Sequence, residues 1–316
     1  MKAVAVGKSQ LVHGEMLSPL SAIPAKSIEH GEVFTRRWVV DLILDLAGYT
    51  PDRELAALTA VEPACGGGAF LAAMATRVST SCRKHDRPLL DAKPALRALD
   101  LLAWNVTVSR RLVREVLVNE GWSLPEAREV AAVWVRQGDY LLDPHGQQDL
   151  DFVIGNPPYV RLEDVPADRM LAYRSACPTM TGRSDLYVGF YERGLRSLRP
   201  GGTLAFICAD RWMRNQYGRQ LREFVAGSYS VDVTVTMHDV DAFEEHVSAY
   251  PAVTVLRRAE QGAAVVVDTR RGFGWRDVPE LVESITAADP WVPAAGHFEV
   301  ARLPHWFSGG DSWPAE

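Results

Sequence analysis

Asn156-Pro157-Pro158-Tyr159 sets an amide, two carbonyls stiffened by proline and a phenol ring in consecutive positions. An Asn side-chain oxygen and a backbone carbonyl both accept hydrogen bonds, and proline offers no N–H in return. Beside a flat ring, two such acceptors suit a planar group that carries an amine. The same four residues also make a plain Asn-Pro-Pro turn closing a strand, and on the tetrapeptide alone the two readings carry equal weight. Three acids upstream, Glu62, Asp100 and Asp139, matter because each falls at the end of a segment that reads as a strand.

Those segments must position the chemistry. Asp151–Gly155 is an apolar, β-branched run that stops at a glycine followed by Asn and two prolines, the pattern of a buried strand. Leu58–Val61 leads to Glu62, Leu96–Leu99 to Asp100 and Val133–Gly138 to Asp139. In open α/β sheets, ligands bind at the carboxyl ends of the strands. Pro63-Ala64-Cys65-Gly66-Gly67-Gly68 follows Glu62, and a helix runs from there to about Val78. Strand, glycine-rich turn and helix together form a nucleotide-type cofactor loop, where the backbone can approach a ligand and the helix start offers free N–H groups. No Gly-Lys-Ser/Thr follows, so it is not a phosphate P-loop, and the full G-x-G-x-x-G spacing is absent. Glu62 would repel a pyrophosphate but suits a ligand with an ammonium or sulfonium group. An acid ending the second strand of such a fold commonly binds ribose hydroxyls, which points to Asp100.

Around these strands the spacing predicts a helix through Trp38, Val39, Leu42, Ile43 and Leu46, with Thr35 as N-cap and Gly48 as stop. Residues 79–94 and 160–183 read as polar loops, the second carrying Arg161, Arg174 and Arg183. Helices are expected over 104–121, 125–132, 184–198 with Ser184 as cap, and 211–226; strands over 203–208, 231–237 and 251–256. Phe243, in the charged loop Asp241–Ser248, is a packing anchor or a ring held at the site, and the anchor carries more weight. Arg211, Arg214, Arg219 and Arg222 read as a solvated helix face sooner than as a binding patch. The organisation is an arm over 1–30, a catalytic domain over 31–260 and a C-terminal extension over 261–316.

With 316 residues, 47% hydrophobic and 23% of them charged, the chain has the composition of a globular protein with a full-sized core. It lacks any run of about 18 uncharged apolar residues, which argues against a membrane span. The N-terminus does not read as a signal peptide. Cys65, Cys82, Cys177 and Cys208 show no C-x-x-C pairing, so neither zinc nor a disulfide framework is indicated and a reducing cytoplasm fits. A net charge of −6 argues mildly against a chain that grips a polyphosphate backbone unaided.

Taken as an ordered set, these segments resemble the adenine-N6 DNA methyltransferases of the gamma motif order, found in restriction–modification and phage-defence systems. The carriers are Phe34-Thr35, the Glu62–Leu71 glycine motif, Asp100, Asp139, Asn156-Pro157-Pro158-Tyr159, the Phe206–Phe224 segment, and Phe243 with Val247-Ser248. The likeness covers roughly residues 31–258. It implies a Rossmann-like α/β fold with a mostly parallel central sheet flanked by helices, and S-adenosylmethionine as cofactor. Phe34, Thr35, Glu62, Ala64 and Gly66 would line its methionine and sulfonium end, with Asn156 and Pro158 closing the site. Asp100 would take the ribose hydroxyls and Asp139 the adenine amine. The substrate implied is an adenine flipped from double-stranded DNA and held by Tyr159 and Phe243. The Asn156 oxygen and the Pro157 carbonyl would accept its amine hydrogens, turning the nitrogen lone pair toward the methyl group. No metal is expected. Members of the family usually carry a C-terminal target-recognition domain, whereas 58 residues follow Arg258 here (316 − 258). Recognition is therefore expected from a missing segment, a separate domain, a restriction subunit or a reduced tail. Two other readings stand beside this one. One is a protein-glutamine N5 methyltransferase, which also uses Asn-Pro-Pro-Tyr but carries a different glycine loop. The other is a catalytically silent subunit of a DNA-binding complex.

Overall fold

Apolar strands that alternate with helices must be covered on both faces, and that requirement organises the molecule. The computed structural model describes residues 33–143, 148–245, 250–286, 291–292, 296–306, 309 and 312–313. The expected arm over 1–30 and the Val247-Ser248 part of the late motif lie outside the described residues.

One sheet runs in the order β3-β2-β1-β4-β5-β7-β6-β8-β10-β9. β1 (Ala60–Glu62), β2 (Leu96–Asp100), β3 (Val135–Gln137), β4 (Leu150–Gly155) and β5 (Leu198–Ala209) pair in parallel. β7 (Pro251–Arg257) runs antiparallel between β5 and β6 (Ser230–Thr236). β8 (Ala264–Thr269) pairs in parallel with β6, and β10 (Phe298–Leu303) is antiparallel to β8. β9 is the two-residue strand Trp291–Val292. The 261–316 extension thus continues the sheet of the residues before it. From β1 the chain builds outward to β3, then returns to lay β4 on the other side of β1. Ligands of such sheets bind at that reversal, outside the carboxyl ends of the two strands, where Glu62 and Asn156 stand.

Period-2 alternation divides the core. In β4, Phe152 and Ile154 join the cluster beneath α1–α4, while Val153 joins the cluster on the opposite face. β5 repeats this, with Ala205 and Ile207 on one side and Leu204, Phe206 and Cys208 on the other.

The helices are α1 (Arg37–Leu46), α2 (Ala69–Lys84), α3 (Ala103–Asn119), α4 (Leu124–Trp134), α5 (Ala167–Ala176), α6 (Tyr187–Ser197), α7 (Arg211–Arg214), α8 (Arg219–Ser228) and α9 (Val278–Thr286). α1 ends at Gly48, whose φ of +72° is the left-handed stop expected of glycine. Its cap is Arg36, not Thr35, because Thr35 is drawn into a β-bridge with Phe243. α2 runs past Val78 into the stretch read as loop. Ser81 in that stretch faces inward, donating to the Arg53 carbonyl at 2.6 Å and accepting the Leu55 N–H at 2.9 Å. Its hydroxyl looked like a loop signal but satisfies a neighbouring backbone.

α4 starts at Ser123 with a capping box to Glu126. α5 lies inside the expected 160–183 loop; Tyr173 is its buried side chain, so the sequence shows almost no apolar face. Ser184 does not cap α6, which starts after Leu186; Ser184 is fully buried instead. The expected helix over 211–226 is broken by an extended Asn215, and the Gly218 backbone lies so close to the Trp212 carbonyl that no side chain would fit there. Of the arginines of this segment, Arg211, Arg214 and Arg219 are exposed, and Arg222 departs from the solvated face. Arg222 is buried and donates to the Trp212 and Asn215 carbonyls, while Arg214 and Arg219 pair with Asp210 and Glu223. Residues near the far end return here: Trp313 packs edge-on against Trp212 at 5.2 Å and donates its backbone N–H to the Met213 carbonyl.

Candidate active site

The end of β4 delivers Asn156 into a cavity of about 250 Å³ at the sheet's reversal point. Its Nδ2 donates to the Val33 carbonyl at 3.0 Å and to Thr35 Oγ1 at 3.2 Å. A carbonyl can only accept, so the amide nitrogen must face Val33 and the oxygen must face away. Oδ1 is buried and has no partner among the described residues. An orphan acceptor of this kind costs about 1–3 kcal/mol, which a ligand donor would recover.

The segment that orients Asn156 is itself held by the late loop. Arg36 donates its N–H to the Ala242 carbonyl at 3.0 Å, and Glu244 donates to the Phe34 carbonyl at 2.8 Å. Arg36 also pairs with Asp241 at 2.6 Å. This tie brings Phe243 edge-on to Tyr159, with ring centroids 6.2 Å apart and planes at 83°. Phe243 packs in the core cluster, so it is an anchor, as the weightier sequence reading held, and also the neighbour of the site ring. The Tyr159 hydroxyl is buried without a partner among the described residues, and burial pushes it well above the usual phenol range. Phe34, Thr35, Glu62, Ala64, Gly66, Asp100, Asp139, Asn156 and Pro158 all line the cavity; Pro157, Tyr159 and Phe243 stand outside its lining.

At the other end, Glu62 is 2% exposed with Oε2 unpaired among the described residues. Burial, and then the Asp100 charge, hold its carboxyl well above the ordinary glutamate range. Asp100 braces the glycine turn: Oδ2 accepts the Gly66 N–H at 2.8 Å, and Oδ1 accepts Leu102 N–H at 2.9 Å and Asn105 Nδ2 at 3.1 Å. Gly67 is required by close approach, since an added Cβ would sit 2.7 Å from the Phe34 ring. Burial, with the Glu62 and Asp100 charges, also pushes the Cys65 thiol well up. It therefore stays protonated within the cofactor loop.

Asp139 follows β3. Its Oδ1 accepts the Leu141 N–H at 3.2 Å and its Oδ2 the Tyr173 hydroxyl at 2.7 Å, with Arg169 Nε at 3.9 Å. Arg169, Tyr173 and Asn105 line or brace the cavity without having been singled out from sequence. The three arginines that were noted in that stretch do other things. Arg174 donates to the Gly182 carbonyl, and Arg161 and Arg183 lie near Glu163. The signal missed was the i, i+4 spacing of Arg169 and Tyr173. No cluster of His, Cys, Asp and Glu fit to hold a metal ion occurs among the described residues. No helix among them is long and apolar enough to cross a membrane.

Comparison with known proteins bears on the family and the fold. Residues 109–243 match the Eco57I restriction-modification methylase family. The chain is similar to the type II methyltransferase M.PaeR7I of Pseudomonas aeruginosa, with 44% identity over 90% of this chain and 50% of that protein. It is also similar to the type II methyltransferase M.BstVI of Geobacillus stearothermophilus, with 38% identity over 90% of this chain and 52% of that one. It thus spans about half the length of these curated relatives. Among solved structures it superposes on one from Listeria monocytogenes classed with the class I S-adenosylmethionine-dependent methyltransferases. That match has a TM-score of 0.54 at 15% identity, over 83% of this chain and 72% of the other. The fold is that of the S-adenosylmethionine-dependent methyltransferases, and S-adenosylmethionine is the expected cofactor. The cavity fits it: Glu62, a buried carboxyl with an unpaired oxygen, matches a cationic ligand, and two further acids end adjacent strands.

Proposed function

From a chain of methyltransferase fold, similar over nine-tenths of its length to type II methyltransferases of restriction–modification, we propose the following activity. It methylates the N6 amine of an adenine rotated out of double-stranded DNA, in the cytoplasm, using S-adenosylmethionine. One observation carries this reading: Asn156 Oδ1 is a buried acceptor, oriented by two bonds from its own amide nitrogen and left unpaired inside the cavity.

When bound, S-adenosylmethionine supplies a methyl group on a positively charged sulfur. Phe34, Thr35, Glu62, Ala64, Gly66 and Pro158 are assigned to its methionine and sulfonium end, Asp100 to the ribose and Asp139 to the purine amine. An adenine amine is a weak nucleophile because its lone pair is shared with the ring. Asn156 Oδ1 and the Pro157 carbonyl accept its two hydrogens, which favours a pyramidal nitrogen with the lone pair directed at the methyl group. Tyr159 supplies the face on which the base rests, and Phe243 supports that ring from its edge. Such positioning supplies up to ~7–11 kcal/mol in favourable cases. The amine proton becomes acidic once the nitrogen is positive, so no strong general base is needed. The catalytic domain is assigned to 31–260, and target recognition to a separate domain, further segment or partner subunit.

The deciding experiment incubates the chain with labelled cofactor and duplex DNA, then digests the DNA to nucleosides. Label is expected in N6-methyladenine. Label in cytosine or in protein glutamine, with none in methyladenine, overturns the assignment.

A further inference from the structure

We propose that Tyr173 on α5 is a positioning residue that sets the Asp139 carboxylate to read the exocyclic amine of the cofactor's purine. This rests on the cofactor assignment above and adds to it a selecting device carried by a helix.

The Asp139 carboxylate is held at both oxygens. Leu141 N–H reaches Oδ1 from the loop after β3, and the Tyr173 hydroxyl reaches Oδ2 at 2.7 Å from α5. Two donors from different elements fix the plane of the group, and each oxygen keeps a further lone pair. Arg169, one turn earlier on the same face of α5, lies 3.9 Å from the same oxygen. Asp139, Arg169 and Tyr173 all line the cavity. Burial and the Asp139 bond push the Tyr173 hydroxyl above the usual phenol range, so it remains a donor.

An ionised carboxylate accepts and cannot donate. Facing a purine amine, it completes a hydrogen bond; facing the carbonyl of the corresponding oxo-purine, it meets another acceptor. A site built on one hydrogen-bonding group discriminates strongly against an analogue that lacks the complement. Without the Tyr173 hydroxyl, Asp139 loses one of the two bonds that aim it. Tyr173 is also the buried anchor of α5, so a merely structural role would weaken every ligand under that helix alike.

Calorimetric titration with S-adenosylhomocysteine and S-inosylhomocysteine separates the two roles without requiring methyl transfer. The intact chain is expected to prefer the adenosyl ligand by at least ~tenfold, equivalent to ~1.4 kcal/mol. Tyr173→Phe should lower adenosyl affinity several-fold and leave inosyl affinity unchanged, narrowing the ratio. In a second variant, Asp139→Asn, the amide can turn its N–H to a carbonyl, and the preference should shift toward the inosyl ligand. Equal weakening of both ligands in Tyr173→Phe, or an unaltered preference in either variant, overturns the inference alone. A wild-type chain that binds neither nucleoside overturns the cofactor assignment and this inference together.

Discussion

The Asn156 side chain donates to Thr35 Oγ1 at 3.2 Å across 121 positions of sequence. Thr35 in turn bridges to Phe243. The acceptor group at the end of β4 is therefore aimed by the segment before α1, and that segment is held by the loop before β7. Removing Asn156 Oδ1 should strike turnover and spare cofactor binding. Asn156→Ala is expected to lower kcat by at least about a hundredfold, the scale on which one preorganised hydrogen-bonding group acts. The check is kcat together with calorimetric affinity for S-adenosylhomocysteine, which should hold.

Tyr159 divides into a ring and a hydroxyl with different expected consequences. The hydroxyl is buried and has no partner among the described residues, so Tyr159→Phe should leave Tm unchanged or slightly raised. Tyr159→Ala removes the face and should weaken binding of DNA carrying a flippable base by ~1–3 kcal/mol. Fluorescence titration with duplexes carrying 2-aminopurine at the target measures this.

Glu62 makes stability depend on pH in a defined direction. Its carboxyl stands above the ordinary range in the folded chain, through burial first and the Asp100 charge second. Ionising it in place opposes folding, so its stabilising contribution is full below the ordinary glutamate range. That contribution is lost as pH rises through the raised folded value. Glu62→Gln should flatten the decline of Tm with rising pH, and a cationic cofactor should restore part of the wild-type loss. Thermal melts across the acid-to-neutral range, with and without S-adenosylmethionine, test both halves.

Trp313 is 2% exposed and closes over Trp212. Trp313→Ala should cost ~3–5 kcal/mol of stability, the usual scale for emptying an aromatic from a core. Urea unfolding gives the value, and hydrogen exchange should show faster opening at Arg211–Arg214.

The strands and the cavity's acids were legible because each is a local pattern: an apolar run, a breaker and a polar residue at the end. Glu62, Asp100, Asp139 and Asn156 were placed by that logic alone, and all four line the cavity. What escaped was non-local or inverted. Of α5 only Tyr173 is fully buried, so it read as loop. Ser81, in a stretch read as loop, and Ser184, read as a cap, are both buried, and the Ser81 hydroxyl serves neighbouring backbone inside the fold. Thr35 had the type of an N-cap, yet the pull of a strand partner more than 200 positions on, Phe243, outweighed its local preference.

The antiparallel placement of β7 has a consequence in time. β6 is made before β7, yet β7 lies between β5 and β6, so those two must wait with an open slot between them. The loop that carries Phe243 joins β6 to β7, and once both strands are in place it clasps the Phe34–Arg36 segment that aims Asn156. Such long-range pairing is slow to form because loop closure must precede its reward. On a growing chain, the strand-end residues Glu62 and Asp100 can take their places well before the segment that aims Asn156 is held. A nascent molecule halted short of β7 would then hold those acids at the strand ends with the Asn156 side chain still unaimed.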